Sequence, residues 1–406
     1  MAKLPQNSVL PLLRSVLAVG ITVLATGVAH DAAAADLAVG PGLTYSTPCR
    51  AFAAAAPGDT VSIAGNTTYR GDVCGIYQNN LTIRGVNGRP QIDAAGNNAM
   101  GKGIWVVIGN NITIDNVEMF GARVADMNGA ALRLEGTNFT LLRSFLHDNE
   151  NGILAGYNAA SNIRIERSEF GHNGAGDGRS HNLYIGNVHN LVFRFNYSHD
   201  AVVGHNLKSR AANNNISYNR FSSLAPGQTG STAAGQPSYE IDLPNAGTSY
   251  VIGNIIEQPA ANQNPAMLAY GAEGASNPGQ DLYVINNTFL NDDTARGTFV
   301  AVGPSVTVPV VMRNNIFAGT GTDVTQANAL QFNNYRSIAP GFVDRARFDL
   351  HPIANALVIN AGSEPGVLPN GMPLRPTAQY VHPASGQLRP LDSALDVGAF
   401  EAALPR

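Results

Sequence analysis

Short apolar segments that recur along the chain limit what it can fold into. Nine segments, such as NNLTIRGV, NNITIDNV and VPVVMRNNIF, place an apolar residue at an equivalent position, with 23 to 35 residues between successive positions. A second family of strand-like segments lies between them, and long amphipathic helix patterns are scarce. The repeat predicts an all-β parallel solenoid whose stacked coils bury one continuous core. The nine equivalent residues are Ile83, Ile114, Leu141, Ile165, Phe193, Ile216, Val251, Val284 and Met312.

Asparagines flank most of these segments. They suit the left-handed backbone positions of tight turns between coils, and their amides can stack from one coil to the next. A β-sandwich would also contain many short strands. It should show hairpin turns such as Asn-Gly, and these are few here.

The N-terminal residues 1–35 have the organisation of a secretory signal. Lys3 and Arg14 supply positive charge, residues 16–29 are apolar, and residues 33–35 are Ala-Ala-Ala. The apolar run is too short for a transmembrane helix, and no second run follows. We therefore expect a secreted or periplasmic protein without membrane insertion after signal cleavage. The remaining chain is expected to comprise an N-terminal cap at 36–70, a parallel β-helix at 71–320, and C-terminal coils with a closing segment at 321–406.

Cysteine usage and charge limit the chemistry and the partners. Cys49 and Cys74 both follow the signal, and an exported protein permits a disulfide between them, with two free thiols as the alternative. The formal net charge of −4 argues against a general nucleic-acid binder. A capped solenoid is normally a monomer, so we expect a monomer.

Both ends of the mature chain resemble a known group of proteins. A short helical piece at 49–56 leads into APGDTVSIAGNTTYRG, which resembles the start of right-handed parallel β-helix proteins of the pectate-lyase-like superfamily. The closing LDVGAFE at 395–401 is similar to the usual C-terminal end of secreted members. The resemblance implies a right-handed parallel β-helix with a short N-terminal cap helix. It leaves the reaction open, because the superfamily contains lyases, hydrolases, epimerases and binding proteins.

The stretch SHDAVVGHNLKSR at 198–210 concentrates ionisable side chains in a sparsely charged chain. Lys208 and Arg210 lie two residues apart on a strand, so their side chains leave the same face and repel one another. An anionic substrate or a nearby carboxylate usually accounts for such a pair. Aligning the second family of strands places Tyr184, Lys208 and Asp242 in one row on the solvent face.

This row suits β-elimination in an acidic, uronate-containing polysaccharide of the alginate or glucuronan type. The reaction needs a neutralised carboxylate, a base for the C5 proton and a proton donor for the leaving oxygen. We predict Lys208 as the base, Arg210 as the carboxylate clamp and Tyr184 as the donor, with His205 assisting. The resemblance agrees, because superfamily lyases commonly use a lysine or arginine base on this kind of face. The residues expected to contact substrate are Asn182, His181, Asn206, His199, Arg133, Glu240, Asp242, Tyr270 and Glu273.

Structural roles are the alternative for several of these residues. His181 and His205 begin their strands in the same way, which would also suit a structural ladder. Glu240 and Asp242 would also serve simply to neutralise Lys208 and Arg210. No cofactor is expected; calcium is the alternative, although no loop has metal-ligand spacing. The carboxylates available for calcium are Asp200, Glu240, Asp242 and Glu273.

Three other functions compete with the lyase. A C5-epimerase would use the same proton abstraction, and residues 198–211 are loosely similar to a stretch of secreted mannuronan epimerases but lack their DPHD run. A glycoside hydrolase would need two carboxylates, which Glu240, Asp242 and Glu273 could supply. A non-catalytic carbohydrate-binding solenoid would need a stacking platform, and Trp105 is the only tryptophan. The long segment 222–238 favours a cleft and hence an enzyme.

Overall fold

Three long parallel β-sheets, here called sheets A, B and C, make up the body of the protein. The structure is a computed structural model that describes residues 1–2, 34–223, 236–390 and 394–402. Sheet A contains the strands Asp36–Val39, Thr60–Ala64, Thr82–Val86, Ile112–Asp115, Phe139–Leu142, Asn158–Glu166, Val188–Arg194, Asn213–Ser217, Thr248–Ile252, Leu282–Ile285, Val311–Arg313 and Leu330–Phe332. Sheet B contains Thr68–Arg70, Gln91–Asp93, Glu118–Phe120, Phe145–His147, Glu169–Gly171, Tyr197–His199, Arg220–Ser222, Ile255–Gln258, Thr288–Asn291, Ile316–Ala318 and Tyr335–Ser337. Sheet C contains Cys74–Ile76, Gly103–Val107, Ala130–Leu134, Asn151–Ala155, Leu183–Ile185, Leu207–Ser209, Ile241–Leu243, Ala266–Tyr270, Thr298–Val302 and Thr322–Val324.

The chain visits sheets A, B and C in turn, and each strand pairs in parallel with the equivalent strand of the next coil. Leu141, for example, pairs with Ile114 on one side and with Ile165 on the other. All nine residues of the predicted inward row lie in register on sheet A and are fully buried. The predicted parallel solenoid and its apolar core are therefore confirmed.

The turns between sheets A and B follow the expectation for asparagine. Asn219 donates from its side chain to the Asn254 Oδ1 atom at 2.9 Å, and Asn254 donates to Asn287 at 3.0 Å. Each turn also holds one residue in the left-handed region, such as Tyr218 at φ 58° or Asn286 at φ 52°. The ladder satisfies buried amides that would otherwise destabilise the core.

The N-terminal end carries the predicted cap helix, Pro48–Ala54. Its Phe52 packs edge-to-face on Trp105, with ring centroids 5.0 Å apart, and Cys49 is disulfide-bonded to Cys74. Strands of the three sheets extend from residue 36 to residue 337. Most of the expected signal, residues 3–33, lies outside the described residues. Among the residues that are described, none of the helices combines the length and the apolar composition that crossing a membrane requires.

The C-terminal region returns along the body in short elements. Two antiparallel pairs, Phe342–Asp344 with Asp349–Pro352 and Ala378–Val381 with Ser385–Leu388, flank this return, and Arg345–Arg347 is a 3₁₀ turn. The C-terminal region contacts sheets A and B. Asn370, for example, donates to the Tyr250 hydroxyl at 3.3 Å.

Candidate active site

A row of polar side chains crosses the outer face of sheet C. Tyr184 pairs in register with Lys208, and Lys208 pairs with Asp242 on the next coil. The residues that precede Tyr184 and Lys208 on the strands, Leu183 and Leu207, are fully buried in the core. Alternation along a strand therefore turns the row outward. The register predicted from the sequence is confirmed.

Lys208 lies between two carboxylates. Its Nζ atom is 2.9 Å from Glu273 Oε1 and 3.3 Å from Asp242 Oδ2, and only 11% of its side chain is exposed. The ammonium also lies 5.6 Å from the centre of the Tyr184 ring. A buried lysine is tolerated here because carboxylates compensate its charge.

Arg210 shares one of these carboxylates with Lys208. Its guanidinium donates to Glu273 Oε2 at 2.5 Å, to the Tyr184 hydroxyl at 2.8 Å and to Asn245 Oδ1 at 2.5 Å. Burial would raise the pKa of Glu273, but the hydrogen bonds from Lys208 and Arg210 hold it below its ordinary value. The site thus holds an ionised carboxylate between two cations, on a side chain that is 48% exposed.

Asp242 differs from Glu273 because it is buried. Burial raises its pKa to about 6, although the Lys208 ammonium opposes this shift. Its Oδ2 atom lies 3.5 Å from His205 Nε2, and its Oδ1 atom has no hydrogen-bond partner among the described residues. Asp242 is therefore a carboxyl group whose charge changes close to neutral pH.

Three aromatic rings lie in a series beside this row. His181 and His205 lie nearly parallel with centroids 4.4 Å apart, and Tyr239 lies 5.0 Å from His205. The backbone N–H of His205 donates to His181 Nδ1 at 3.0 Å, and that of Tyr239 donates to His205 Nδ1 at 3.2 Å. A neutral imidazole that accepts at Nδ1 carries its proton at Nε2.

Both histidines are held in the neutral form. Burial and the nearby Lys208 lower the pKa of His181 to about 3, and burial together with His181 lowers the pKa of His205 well below its ordinary value. Each ring therefore presents an N–H donor and has no free nitrogen lone pair. This arrangement favours a positioning role for His205, next to Asp242, over the proton transfer expected from the sequence.

No protein-family model matches the chain, and no curated protein sequence matches it. Among solved structures, that of pectate lyase Pel9A superposes with a TM-score of 0.58 at 16% identity, covering 88% of this chain and 92% of that one. The structure of the PL6 family alginate lyase AlyGC gives a TM-score of 0.37 at 15% identity, covering 84% of this chain and 57% of that one.

The chain has the pectate-lyase-like right-handed parallel β-helix fold. The three long sheets and the short cap helix of the described residues match the fold expected from the sequence. At 16% identity this likeness concerns the fold alone.

Several expected substrate contacts lie inside the β-helix. Asn182 and Asn206 are fully buried, and Asn182 donates to the His199 carbonyl at 2.7 Å and to Asn206 Oδ1 at 2.8 Å. Asn206 in turn donates to Glu240, which is 1% exposed and whose pKa burial raises well above its ordinary value. These side chains form a second internal ladder and do not reach the outer face. Tyr270 is also fully buried, and its hydroxyl donates to the Gly247 carbonyl at 2.6 Å.

Two further expected contacts lie apart from Lys208 and Arg210. His199 is on sheet B, where it is 2% exposed and bonds Asp200 and Glu169 at 2.9 and 3.2 Å. Arg133 is in register with the row but lies two coils before Tyr184, and it pairs with Glu135 at 2.9 Å. The structure thus brings together Tyr184, Lys208, Arg210, Asp242, Glu273, His181 and His205.

Calcium does not fit the carboxylates that the sequence offered for it. The Lys208 ammonium lies between Asp242 and Glu273, and Glu240 is part of the internal ladder. In the described parts of the chain, no group of three or more His, Cys, Asp or Glu residues is arranged to hold a metal ion.

Two residues of the site were not found by sequence reasoning. Tyr239 occupies the position equivalent to His181 and His205, two residues before the strand Ile241–Leu243, so the alignment of these strands contained the signal. Asn245, which accepts from Arg210, follows the strand Ile241–Leu243 in a turn and carries no comparable signal. The long segment 222–238, expected to form a cleft wall, lies largely outside the described residues.

Sheet B carries a separate network of alternating histidines and carboxylates. His147 bonds Asp148 at 2.6 Å and Glu118 at 3.2 Å. Burial would lower the pKa of His147, but these carboxylates raise it to about 9. The network continues through His172, Asp200, His199 and Glu169.

We expect His147 to make folding stability depend on alkaline pH. Its pKa is raised from 6.5 to about 9, so its contribution is complete below pH 6.5 and is lost as the pH rises through about 9. At a pH below 6.5, His147→Gln should lower the free energy of unfolding by about 1 kcal/mol, after allowance for solvent screening. Above pH 9 the same substitution should lower it by little. Denaturant unfolding of both proteins at the two pH values measures this. His189→Gln, at an exposed position, is the control, and an equal difference at both pH values would contradict the prediction.

Proposed function

We propose that the protein is a polysaccharide lyase that cleaves a uronate-containing polysaccharide by β-elimination at the outer face of sheet C. One observation carries the proposal: Lys208 and Arg210 together bind the carboxylate of Glu273, directly beside the Tyr184 hydroxyl. The proposed base, carboxylate clamp and proton donor therefore all surround the position that the Glu273 carboxylate occupies. Pel9A, which shares the fold, is a pectate lyase, and this supports the reaction class.

The substrate carboxylate would take the place of Glu273 on Arg210. Burial opposes the charge of Arg210, but Glu273 and Tyr184 outweigh it and raise the pKa of the guanidinium. Arg210 thus stays cationic, and its planar fork suits a carboxylate. Neutralising this carboxylate favours loss of the C5 proton, because the negative charge that develops there is delocalised onto the carboxyl group.

Lys208 and Tyr184 would carry the two proton transfers. The neutral Lys208 amine removes the proton from C5, the C5–H electron pair forms the C4–C5 double bond, and the C4–O bond breaks. The Tyr184 hydroxyl donates its proton to the departing oxygen. This hydroxyl accepts a hydrogen bond from Arg210 Nε, so its own hydrogen remains free to be donated.

Displacement of Glu273 would also prepare Lys208 for its role. In the structure two carboxylates stabilise the ammonium. When the substrate displaces Glu273 towards solvent, its carboxylate binds Arg210 and only Asp242 remains beside Nζ. This frees one side of Nζ to approach the C5 proton.

The same geometry favours elimination over hydrolysis. A glycosidase places the sugar between its two carboxylates, and here the Lys208 ammonium fills the space between Asp242 and Glu273. A C5-epimerase would begin with the same proton abstraction, so the products have to distinguish it from a lyase.

The test uses the purified full chain and a panel of polyuronates. Ultraviolet absorbance reports the conjugated double bond that only β-elimination creates, and reducing ends are counted in parallel. A rise in absorbance is the expected result. New reducing ends without absorbance would indicate a hydrolase, and solvent deuterium at C5 without cleavage would indicate an epimerase. No change in any readout would leave a binding solenoid.

We also propose that the enzyme acts as a monomer outside the cytoplasm, as a secreted or periplasmic protein. The support is the Cys49–Cys74 disulfide together with the signal-like sequence at 1–35. Fractionation of the producing cells, followed by size-exclusion chromatography, tests both statements.

Glu273→Gln should bind polyuronate more tightly than the wild type. The amide removes the charge that competes with the substrate for Lys208 and Arg210, whose contacts to Glu273 are 2.9 and 2.5 Å. Because Glu273 is half exposed, we expect KM to fall by about two- to fivefold. Initial rates over a range of polymer concentrations measure this, and a higher KM would mean that Glu273 contributes to substrate binding.

A further inference from the structure

A cavity of about 330 Å³ adjoins the candidate active site on the side of Tyr184. Its floor is formed by Leu154 and Tyr184 of sheet C. Its walls come mainly from the two segments that precede the strands Ala130–Leu134 and Leu183–Ile185, which lie on either side of the strand Asn151–Ala155. The wall residues are Asp126, Met127, Asn128, Asp177 and Arg179 of these segments, with Asn151 of the middle strand.

The cavity lies one coil away from Lys208. Leu154 pairs with Tyr184, and Tyr184 pairs with Lys208, so each step along the row spans about 4.8 Å. The Tyr184 side chain is shared with the candidate active site, because its hydroxyl accepts from Arg210 at 2.8 Å. A polymer whose uronate binds at Lys208 and Arg210 would therefore place its neighbouring sugar in this cavity.

The lining has the chemistry of a site for sugar hydroxyl groups. Leu154, Met127 and the Tyr184 ring offer apolar surface to the carbon face of a sugar. Asp126 and Asn128 are exposed and offer acceptors and an amide donor to hydroxyl groups. Sites of this kind combine a few placed polar groups with apolar walls.

The charge of the cavity is opposite to that of the candidate active site. Two carboxylates, Asp126 and Asp177, face one cation, Arg179. Burial would raise the pKa of Asp177, but hydrogen bonds from Arg179 and Ser180 hold it below its ordinary value, so it remains ionised. A second carboxylate on the substrate would meet repulsion here, whereas the hydroxyl groups of an uncharged sugar would find acceptors.

We propose that this cavity binds an uncharged sugar residue next to the reacting uronate, so that the substrate is a polymer in which uronates alternate with neutral sugars. This inference rests on the proposed function and adds the class of its substrate. Homopolyuronates, which carry a carboxylate on every residue, are the disfavoured class.

The experiment compares two homopolyuronates, polygalacturonate and alginate, with the alternating backbone of rhamnogalacturonan. Unsaturated product is measured with the full-length wild type and with Asp126→Asn. We expect a higher kcat/KM on the alternating polymer for the wild type. In Asp126→Asn the KM for a homopolyuronate should fall by about two- to fivefold, the size of an exposed charge interaction, whereas the KM for the alternating polymer should not fall. Glu364→Gln, an exposed carboxylate in the C-terminal region, is the matched control and should change neither value.

The outcomes separate this inference from the proposed function. Cleavage that favours a homopolyuronate, with no effect of Asp126→Asn on its KM, would overturn the cavity assignment and leave the lyase intact. Absence of unsaturated product from every polymer would overturn the lyase. In that case the cavity assignment is tested by equilibrium binding of the same three polymers to the wild type and to Asp126→Asn. Tighter binding of the alternating polymer by the wild type, and tighter binding of a homopolyuronate by Asp126→Asn than by the wild type, are the expected results.

Discussion

Lys208→Ala should lower the rate of unsaturated product formation by about 10²- to 10⁴-fold, the usual contribution of a positioned base. The reason is geometric, because Lys208 is the buried amine of the row, between Tyr184 and Asp242. Ultraviolet absorbance measured on the polymer that the wild type cleaves best gives the rate. Substrate binding should persist through Arg210, so the loss should fall mainly on kcat.

Two further variants give this prediction its controls. Lys102→Ala removes another lysine that contacts a carboxylate, Glu135 at 2.6 Å, and should leave the rate unchanged. Lys208→Met keeps the length of the side chain but has no amine to accept a proton, so it should be as inactive as the alanine variant. Substantial activity in Lys208→Met would remove Lys208 from the role of base.

The parallel coils and their register could be predicted because each strand repeats the same constraint. Ile83 and Met312 are 229 positions apart, yet both lie in the same inward row of sheet A. A slip of one residue would turn an entire apolar row outward, so the pattern determines the register strongly. The same logic placed Tyr184, Lys208 and Asp242 side by side on sheet C.

Residues near the turns could not be placed in the same way. Asn206 is two positions before Lys208, and strict alternation would put both side chains on the outer face. The strand begins only at Leu207, and the backbone before it belongs to a turn whose amides point inwards. Glu240 follows Asn206 into the interior for the same reason, because it occupies the equivalent position one coil later.

The partners of Arg210 show a second limit of sequence reasoning. Glu273 and Asn245 reach Arg210 from turns of later coils, 63 and 35 residues away. Turn lengths vary from coil to coil, so the alignment of strands says little about which turn residue reaches back over the face. The charge of Glu273 made it a candidate for substrate contact, but its position between Lys208 and Arg210 is visible only in the structure.

Glu401→Ala should destabilise the folded protein by about 3–5 kcal/mol, because it leaves a buried charge without its partner. Glu401 ends the LDVGAFE motif, and its Oε1 atom accepts from Arg389 Nε at 2.5 Å. The Arg389 side chain is fully buried and also donates to the carbonyl groups of Gly398 and Asp396. Burial lowers the pKa of Arg389 and raises that of Glu401, so each group depends on the other for its charge.

The effect should spread beyond the ion pair, because the same segment holds the C-terminal region against the β-helix. Asn286 of the body donates to the Asp396 carbonyl at 2.9 Å, close to the Arg389 guanidinium. Denaturant unfolding followed by circular dichroism measures the loss. Glu364→Ala is the matched control, since its pair with Arg375 at 2.9 Å is exposed and should contribute less than about 1 kcal/mol. Equal stability of the two variants would show that the buried pair does not anchor the motif, and that apolar packing of the closing segment holds it instead.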